Sequence, residues 1–382
     1  MPVLEQVILP TDKLEQLRTK LSGRSIPSLD GIRGLAALIV VAYHYGWPPF
    51  SPQGSFGVLV FFVLSGFLIT WLLLKESSRN GTVSLRKFYS RRFLRIFPAF
   101  YFYWIVNLTT LYLRGKPIPW GECLSALFYV GNYYYPLTHS TGNVMGMTWS
   151  LAVEEQFYLL WPFVFVRFHD KLRQLSRIVS GVILAIWIYR EFLHFGLHVN
   201  PQYVQYAFES RFDHLMIGAL VAVTIKRGVF PQVWERVCTL PAFALTVGGL
   251  LISITLHNLF GFAYSHPVGF IVEPFLIAAA IVQCIYFSDR LPCRGLNSVV
   301  ARYLGRISYP IYLYHALVMA LVVAVFPALR FGRTYMAAVL GCIAAASVSY
   351  LVVERPFLKM KERFVPTYAS GKQTVAGARS VC

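Results

Sequence analysis

The chain is poor in charge, and poorest in acid. Only 14% of its 382 residues are charged, with 17 Asp and Glu against 35 Lys and Arg. Soluble globular chains carry about 25% charged residues, and a soluble fold this apolar lacks the polar surface to cover itself. The six cysteines, Cys123, Cys238, Cys284, Cys293, Cys342 and Cys382, are scattered, with no CxxC pair. That pattern argues against structural disulfides and offers no metal-ligand spacing. P-loop, GxGxxG and HExxH signatures are all missing. No internal repeat, low-complexity tract or linker divides the chain. The amino end shows no short apolar region followed by a cleavage site, so the first span is expected to be its own insertion signal.

What is present is apolar sequence, at 56% of residues and a mean hydropathy of +0.55. A membrane-crossing helix needs about 20 mostly apolar residues. Runs of that kind fall at roughly 32–47, 56–75, 96–113, 148–168, 178–195, 211–226, 241–257, 268–287, 307–328 and 335–353. The fold class expected is therefore all-α, a polytopic membrane protein of about ten transmembrane helices. One transmembrane domain covers 1–364, and 365–382 reads as a disordered cytoplasmic tail. Residues 122–135 are apolar but short, which suits a re-entrant or interfacial piece. Residues 12–22 place Leu14, Leu17 and Leu21 on one helical face, as in a short helix lying on the inner leaflet.

Basic residues set the orientation. With the amino terminus in the cytoplasm, 28 of the 35 Lys and Arg fall in cytoplasmic segments. Six lie opposite: Arg114, Lys116, Arg190, Arg211, Arg330 and Arg333; Arg33 lies within the first span. Both termini are then inside. The net charge of +18 thus faces anionic lipids and anionic cofactors, and nucleic acid is not needed to explain it.

Ionisable residues inside spans are costly and mark function by default. Arg33 and His44 are eleven residues apart in the first span, on one helical face and about 16 Å apart along the axis. Arg33 sits near the cytoplasmic rim and His44 deep or toward the far side. A plainer reading pairs Arg33 with Asp30 and leaves His44 as a packing residue. Ser65-Gly66 in the second span is a small-residue notch for a neighbouring helix. Arg91, Arg92 and Arg95 crowd the cytoplasmic membrane edge, where guanidinium forks suit phosphate, beyond what ordinary anchoring requires. Glu154 and Glu155 are adjacent about two turns into the fourth span, so at least one must face a polar interior. Arg211 and Asp213 can pair with each other or with these glutamates. His315 lies among Tyr309, Tyr312 and Tyr314, in the cytoplasmic half of the ninth span.

Taken in order, the blocks SLDGIRGLAALIVVAYHY, GVLVFFVLSGFLIT, RKFYSRRFLRIFPAFY, TWSLAVEEQFYLLWP, RFDHLMIGALVA, ISYPIYLYHALV and ERPF resemble the membrane acyltransferase-3 family. The resemblance covers roughly 25–360 and is closest to the stand-alone form. It implies a ten-helix fold in the bacterial inner membrane that takes an acyl group, usually acetyl, from cytoplasmic acyl-CoA. The group passes to a hydroxyl of a saccharide or small molecule on the far side. Arg33 and His44 match the family's Arg–His pair, Arg91 and Arg95 the ends of its Arg-x-x-Arg motif, and Glu154 or Glu155 its acidic position.

On this reading Arg91, Arg92 and Arg95 hold the cofactor phosphates, and His315 is placed with them on the cofactor side. His44 is a general base. Glu154 or Glu155 orients His44 or holds the sugar, and Arg33 binds the cofactor arm or stabilises the thioester oxygen. No metal is called for. Direct transfer and an acyl-histidine relay both fit. The alternative is a proton-coupled secondary transporter using the same buried His and Glu.

Overall fold

A computed structural model describes residues 12–23, 26–46, 54–140, 142, 144–291, 293–327 and 331–361. The expected tail at 365–382 lies outside the described residues. Every regular element described is helical. In chain order the principal helices are α1 (Lys13–Ser22), α2 (Pro27–His44), α3 (Gly54–Asn80), α4 (Leu85–Leu113), α5 (Trp120–Leu127), α6 (Gly131–Thr138), α7 (Thr148–Phe168), α8 (Leu172–Glu191), α9 (Asp213–Arg227), α10 (Leu240–Phe260), α11 (Phe270–Tyr286), α12 (Val299–Arg306), α13 (Ser308–Val325) and α14 (Phe331–Ser349). Local sequence sets several starts. Pro27 occupies the first turn of α2, and the hydroxyls of Ser84, Thr239 and Ser298 cap the amino ends of α4, α10 and α12.

Each of the ten expected spans coincides with a helix, yet fewer pass a strict test. Among the described residues, seven helices are long and apolar enough to cross a bilayer, or up to nine if two sharply bent pairs each count as one span. The expected helix that fails outright is α7, because Glu154, Glu155 and Gln156 stand side by side in it and dilute its apolar run. The residues 122–135 form two short helices, α5 and α6, rather than a span.

Polarity is arranged inside out, as a bilayer demands. In α10 the buried residues are Thr246 and Ser253, while Leu245, Leu251, Ile252 and Leu259 lie exposed. An outward apolar face of that extent is stable against lipid and untenable against water. The chain is an all-α integral membrane protein. Helices then approach through small residues. A Cβ added at Gly66 of α3 would meet the Leu215 carbonyl oxygen at 1.8 Å, and one at Gly218 of α9 would meet the Val63 carbonyl oxygen at 2.0 Å. The notch at Ser65-Gly66 is therefore a backbone-to-backbone crossing of α3 with α9.

The leaflet role expected for α1 is corrected. Leu14, Leu17 and Leu21 do share one face, but that face is buried in the protein. Polar contacts fix the helix there: Lys13 Nζ donates to the Glu235 carbonyl at 2.8 Å, Arg18 to the Ile225 and Lys226 carbonyls, and Lys20 to Asp289 at 2.7 Å. Lys20 holds the Asp289 carboxyl below the usual carboxylate range. Lys75, near the end of α3, donates to the Ser22 and Gly23 carbonyls.

These contacts gather α1 with the ends of α3, α9 and α11, all segments assigned by charge to one side. The opposite group also meets itself: Tyr133 and Tyr203 donate to Glu209, and Ser140 donates to Glu122. A cysteine at Asn80 and one at Lys116, both exposed positions, should therefore react with an impermeant maleimide from opposite sides of sealed vesicles. The labelling is done in a Cys382→Ser background, and the five described native cysteines are buried and free. Labelling of both from one side would overturn the alternation.

Candidate active site

The charged residues of α2, α4 and α7 converge on one cavity of about 80 Å³. Arg33, Arg92, Arg95, Glu154 and Glu155 line it, with Ser65, Tyr158 and Tyr312 among the polar walls. Helical rise locates them in depth. Arg33 lies about 9 Å from the start of α2, Arg92 and Arg95 about 10 and 15 Å from the start of α4, and Glu154 about 9 Å from the opposite end of the bundle. Basic charge entering from one side meets acid entering from the other.

Arg33 keeps its local partner, with Nη1 3.6 Å from an Asp30 carboxylate oxygen. Arg92 lies over the Tyr158 ring, 4.9 Å from its centroid, a face that attracts a cation. Neither Arg92 nor Arg95 hydrogen-bonds or ion-pairs with any described residue, so both guanidiniums retain open donors beside the cavity. Arg91 differs. It pairs with Glu76 at 2.8 Å and is absent from the cavity lining. Helical rotation puts it on another face, so the expected three-arginine cluster is two.

The glutamates do not orient His44. Glu154 Oε1 accepts a 2.9 Å bond from Ser65, and no hydrogen bond joins either carboxylate to His44. Ser65 thus serves the site as well as the packing notch beside it. Tyr158, one turn beyond Glu154, shares its face; that spacing was the available clue to a longer polar stripe.

His44 is the last residue of α2, with its ring exposed. Its Nδ1 lies 2.9 Å from the Val40 carbonyl. A carbonyl only accepts, so the ring proton is assigned to Nδ1, and Nε2 carries the free lone pair. The ring faces His315, with centroids 4.6 Å apart. His315 is absent from the charged cavity, which corrects its placement with the cofactor phosphates. Backbone register accounts for the meeting. A Cβ on Gly34 would stand 3.0 Å from Gly305 N, and ten residues beyond each glycine come His44 and His315. α13 continues ten residues past His315, about 15 Å, so the histidine pair lies well below that helix end.

Tyr312 lines the cavity and also packs beside His315. Its hydroxyl donates to the Met147 carbonyl at 2.8 Å and lies 2.6 Å from Ser150 Oγ. Its ring centroid is 5.8 Å from that of His315. Tyr312 is one of the tyrosines flanking His315, but nothing in the sequence marked it as a wall of the cavity. A further correction concerns Asp213, which pairs with buried Arg190 at 3.0 Å rather than with Arg211 or the glutamates. Arg211 instead lies 3.8 Å from the centroid of the Phe270 ring.

A helix bundle apolar toward lipid that encloses a charged cavity, with a histidine pair packed beside one of the cavity's lining tyrosines, defines a membrane protein with an internal reaction or transport chamber. The acyltransferase domain family (acyltransferase-3) matches residues 26–354, and the chain belongs to that family. Among similar proteins are the peptidoglycan O-acetyltransferase OatA of Listeria monocytogenes, 31% identical over 78% of this chain and 50% of its own length, and the O-acetyltransferase OatA of Staphylococcus aureus, 29% identical over 92% and 60%. The putative peptidoglycan O-acetyltransferase YrhL of Bacillus subtilis is 28% identical over 87% and 55%. The chain thus spans half to three fifths of the length of these relatives. No solved structure matches.

Proposed function

We propose that this chain transfers an acetyl group from acetyl-CoA on the cytoplasmic side to a hydroxyl of a saccharide on the opposite side, in a bacterial cytoplasmic membrane. The names of the relatives point to peptidoglycan as the acceptor class. One observation carries the reading: two guanidiniums with open donors sit in a cavity whose lining Tyr312 packs beside a histidine pair, in which His44 keeps a free Nε2 lone pair. Membership of an acyltransferase family weighs against the transporter alternative.

Arg92 and Arg95 bind donor phosphates, and the slender pantetheine arm carries the thioester up the cavity. Arg33 lies along that path and favours negative charge growing on the thioester oxygen. Glu154, held by Ser65, and Glu155 bound the acceptor side of the cavity and can hold sugar hydroxyls. His44 Nε2 takes the acceptor's hydroxyl proton as its oxygen attacks the carbonyl carbon. The C–S bond breaks, and the proton then passes from His44 to the departing sulfur.

The donor assignment has a direct test. Arg95→Ala should weaken acetyl-CoA binding about ten- to a hundredfold, the scale of one charge-assisted contact. The rate at saturating donor should fall much less, since a remote contact serves ground and transition states alike. Arg95→Lys should recover part of the loss as a point charge. Calorimetry on well-folded protein reads the difference, and an unchanged dissociation constant removes Arg95 from the donor site.

A further inference from the structure

We infer that His315 is a positioning residue for His44, accepting a hydrogen bond from the His44 ring while that ring holds the substrate's proton. The inference rests on the reading of His44 as the base, and it names a partner that reading does not require. The observation behind it is an unsatisfied atom. His315 is fully buried, and its Nδ1 lies 2.6 Å from the Tyr312 carbonyl. By the same logic as at His44, the proton is assigned to Nδ1 and the lone pair to Nε2. That Nε2 is buried without any hydrogen-bond partner.

An acceptor left dry and unpartnered costs stability, and the site is firmly built around it. The Tyr45 hydroxyl donates to the His315 carbonyl at 2.9 Å, and the Tyr312 hydroxyl is tied to Met147 and Ser150. Neither frees a donor for Nε2. His44 is the neighbouring ring, 4.6 Å away between centroids. With both rings protonated at Nδ1, neither Nε2 has a proton to give the other, so the pair is mismatched at rest. The mismatch ends when His44 Nε2 takes the proton of the acceptor hydroxyl. The new Nε2–H then finds the waiting lone pair of His315, until the proton moves on to the departing sulfur. No proton is gained or lost by His315 itself. An interaction made only after proton transfer begins favours the transition state over the bound substrates.

The test uses the purified full chain with acetyl-CoA and peptidoglycan glycan fragments. His315→Leu removes the lone pair and should lower the rate at saturating donor roughly ten- to a hundredfold, the scale of one hydrogen bond to a charged group. The KM for acetyl-CoA should stay within about threefold, because the loss falls on the transition state. His315→Gln places an amide oxygen near the position of Nε2 and should restore much of the rate. Adding His315→Leu to His44→Ala should cost nothing further, since the two act as a unit. A His315→Leu rate within threefold of wild type, or loss in the double variant equal to the product of the single losses, overturns the inference. So does a well-folded His315→Gln protein as slow as His315→Leu. Nitrogen-15 spectra of histidine-labelled protein supply a readout without turnover: both rings should appear as the Nδ1–H tautomer, and an Nε2–H tautomer at His315 rules the role out. Absence of any acetyl transfer by wild type would count against the proposed function instead, leaving the tautomer result to judge His315.

Discussion

Replacing His44 by alanine is expected to lower acetyl transfer about 10²- to 10⁴-fold, the usual contribution of a positioned general base, while acetyl-CoA still binds. His44 closes α2 with an exposed ring and touches His315 rather than the arginines of the cavity. Its removal should therefore spare donor affinity and the fold. The measurement is initial rate and donor dissociation constant on protein whose thermal midpoint matches wild type. Near-normal turnover would remove His44 from the mechanism. Arg33 and His44 share one helix, yet Arg33 lines the cavity and His44 packs against His315.

The second large effect falls on the fold. Gly66→Leu should prevent recovery of folded protein, because its Cβ alone would stand 1.8 Å from the Leu215 carbonyl oxygen. Backbone cannot yield as a side-chain tip can, so the cost should reach or exceed the roughly 3 kcal/mol upper range of ordinary overpacking. The reciprocal change, Gly218→Leu, meets Val63 O in the same crossing and should behave alike. Gly181 of α8 has no atom within 4 Å of an added Cβ, so Gly181→Leu is the matched control and should be tolerated. Monodisperse yield and thermal midpoint in detergent compare the three. A stable Gly66→Leu protein contradicts the close crossing of α3 and α9.

Helix placement was legible in the sequence because lipid imposes long apolar runs, and a run of twenty residues is hard to mistake. The notch at Gly66 was legible for a related reason: small residues in an apolar helix mark a close neighbour. α7 was readable as a helix but not as a strictly apolar span, since its carboxylates serve the cavity at the expense of hydropathy. Rotation about helix axes was far less legible. Arg91 and Arg92 are neighbours in sequence, yet one turns to Glu76 and the other to the cavity. α1 displays an apolar stripe that fits a membrane surface and a protein groove equally well, and only the buried leucines decide between them.

Pairings across the bundle were the least legible of all. His44 and His315 are 271 positions apart and meet through the contact of Gly34 with Gly305. Asp213 takes Arg190 from α8 in place of the nearer Arg211. Such partners depend on which helices touch and at what height, and hydropathy carries neither.

The proposed reaction is two-sided, with the donor entering by Arg92 and Arg95 and the acceptor reaching His44 from the other face. Proteoliposomes of uniform orientation, established with the Asn80 and Lys116 cysteine positions, test it most directly. Acetyl-CoA is supplied on the Asn80 side and peptidoglycan glycan fragments on the Lys116 side, and acetyl ester on the glycan is measured. Ester should form in that arrangement, and none should form when the two substrates exchange sides. Transfer only with both substrates on one side, or equally in both arrangements, would contradict it.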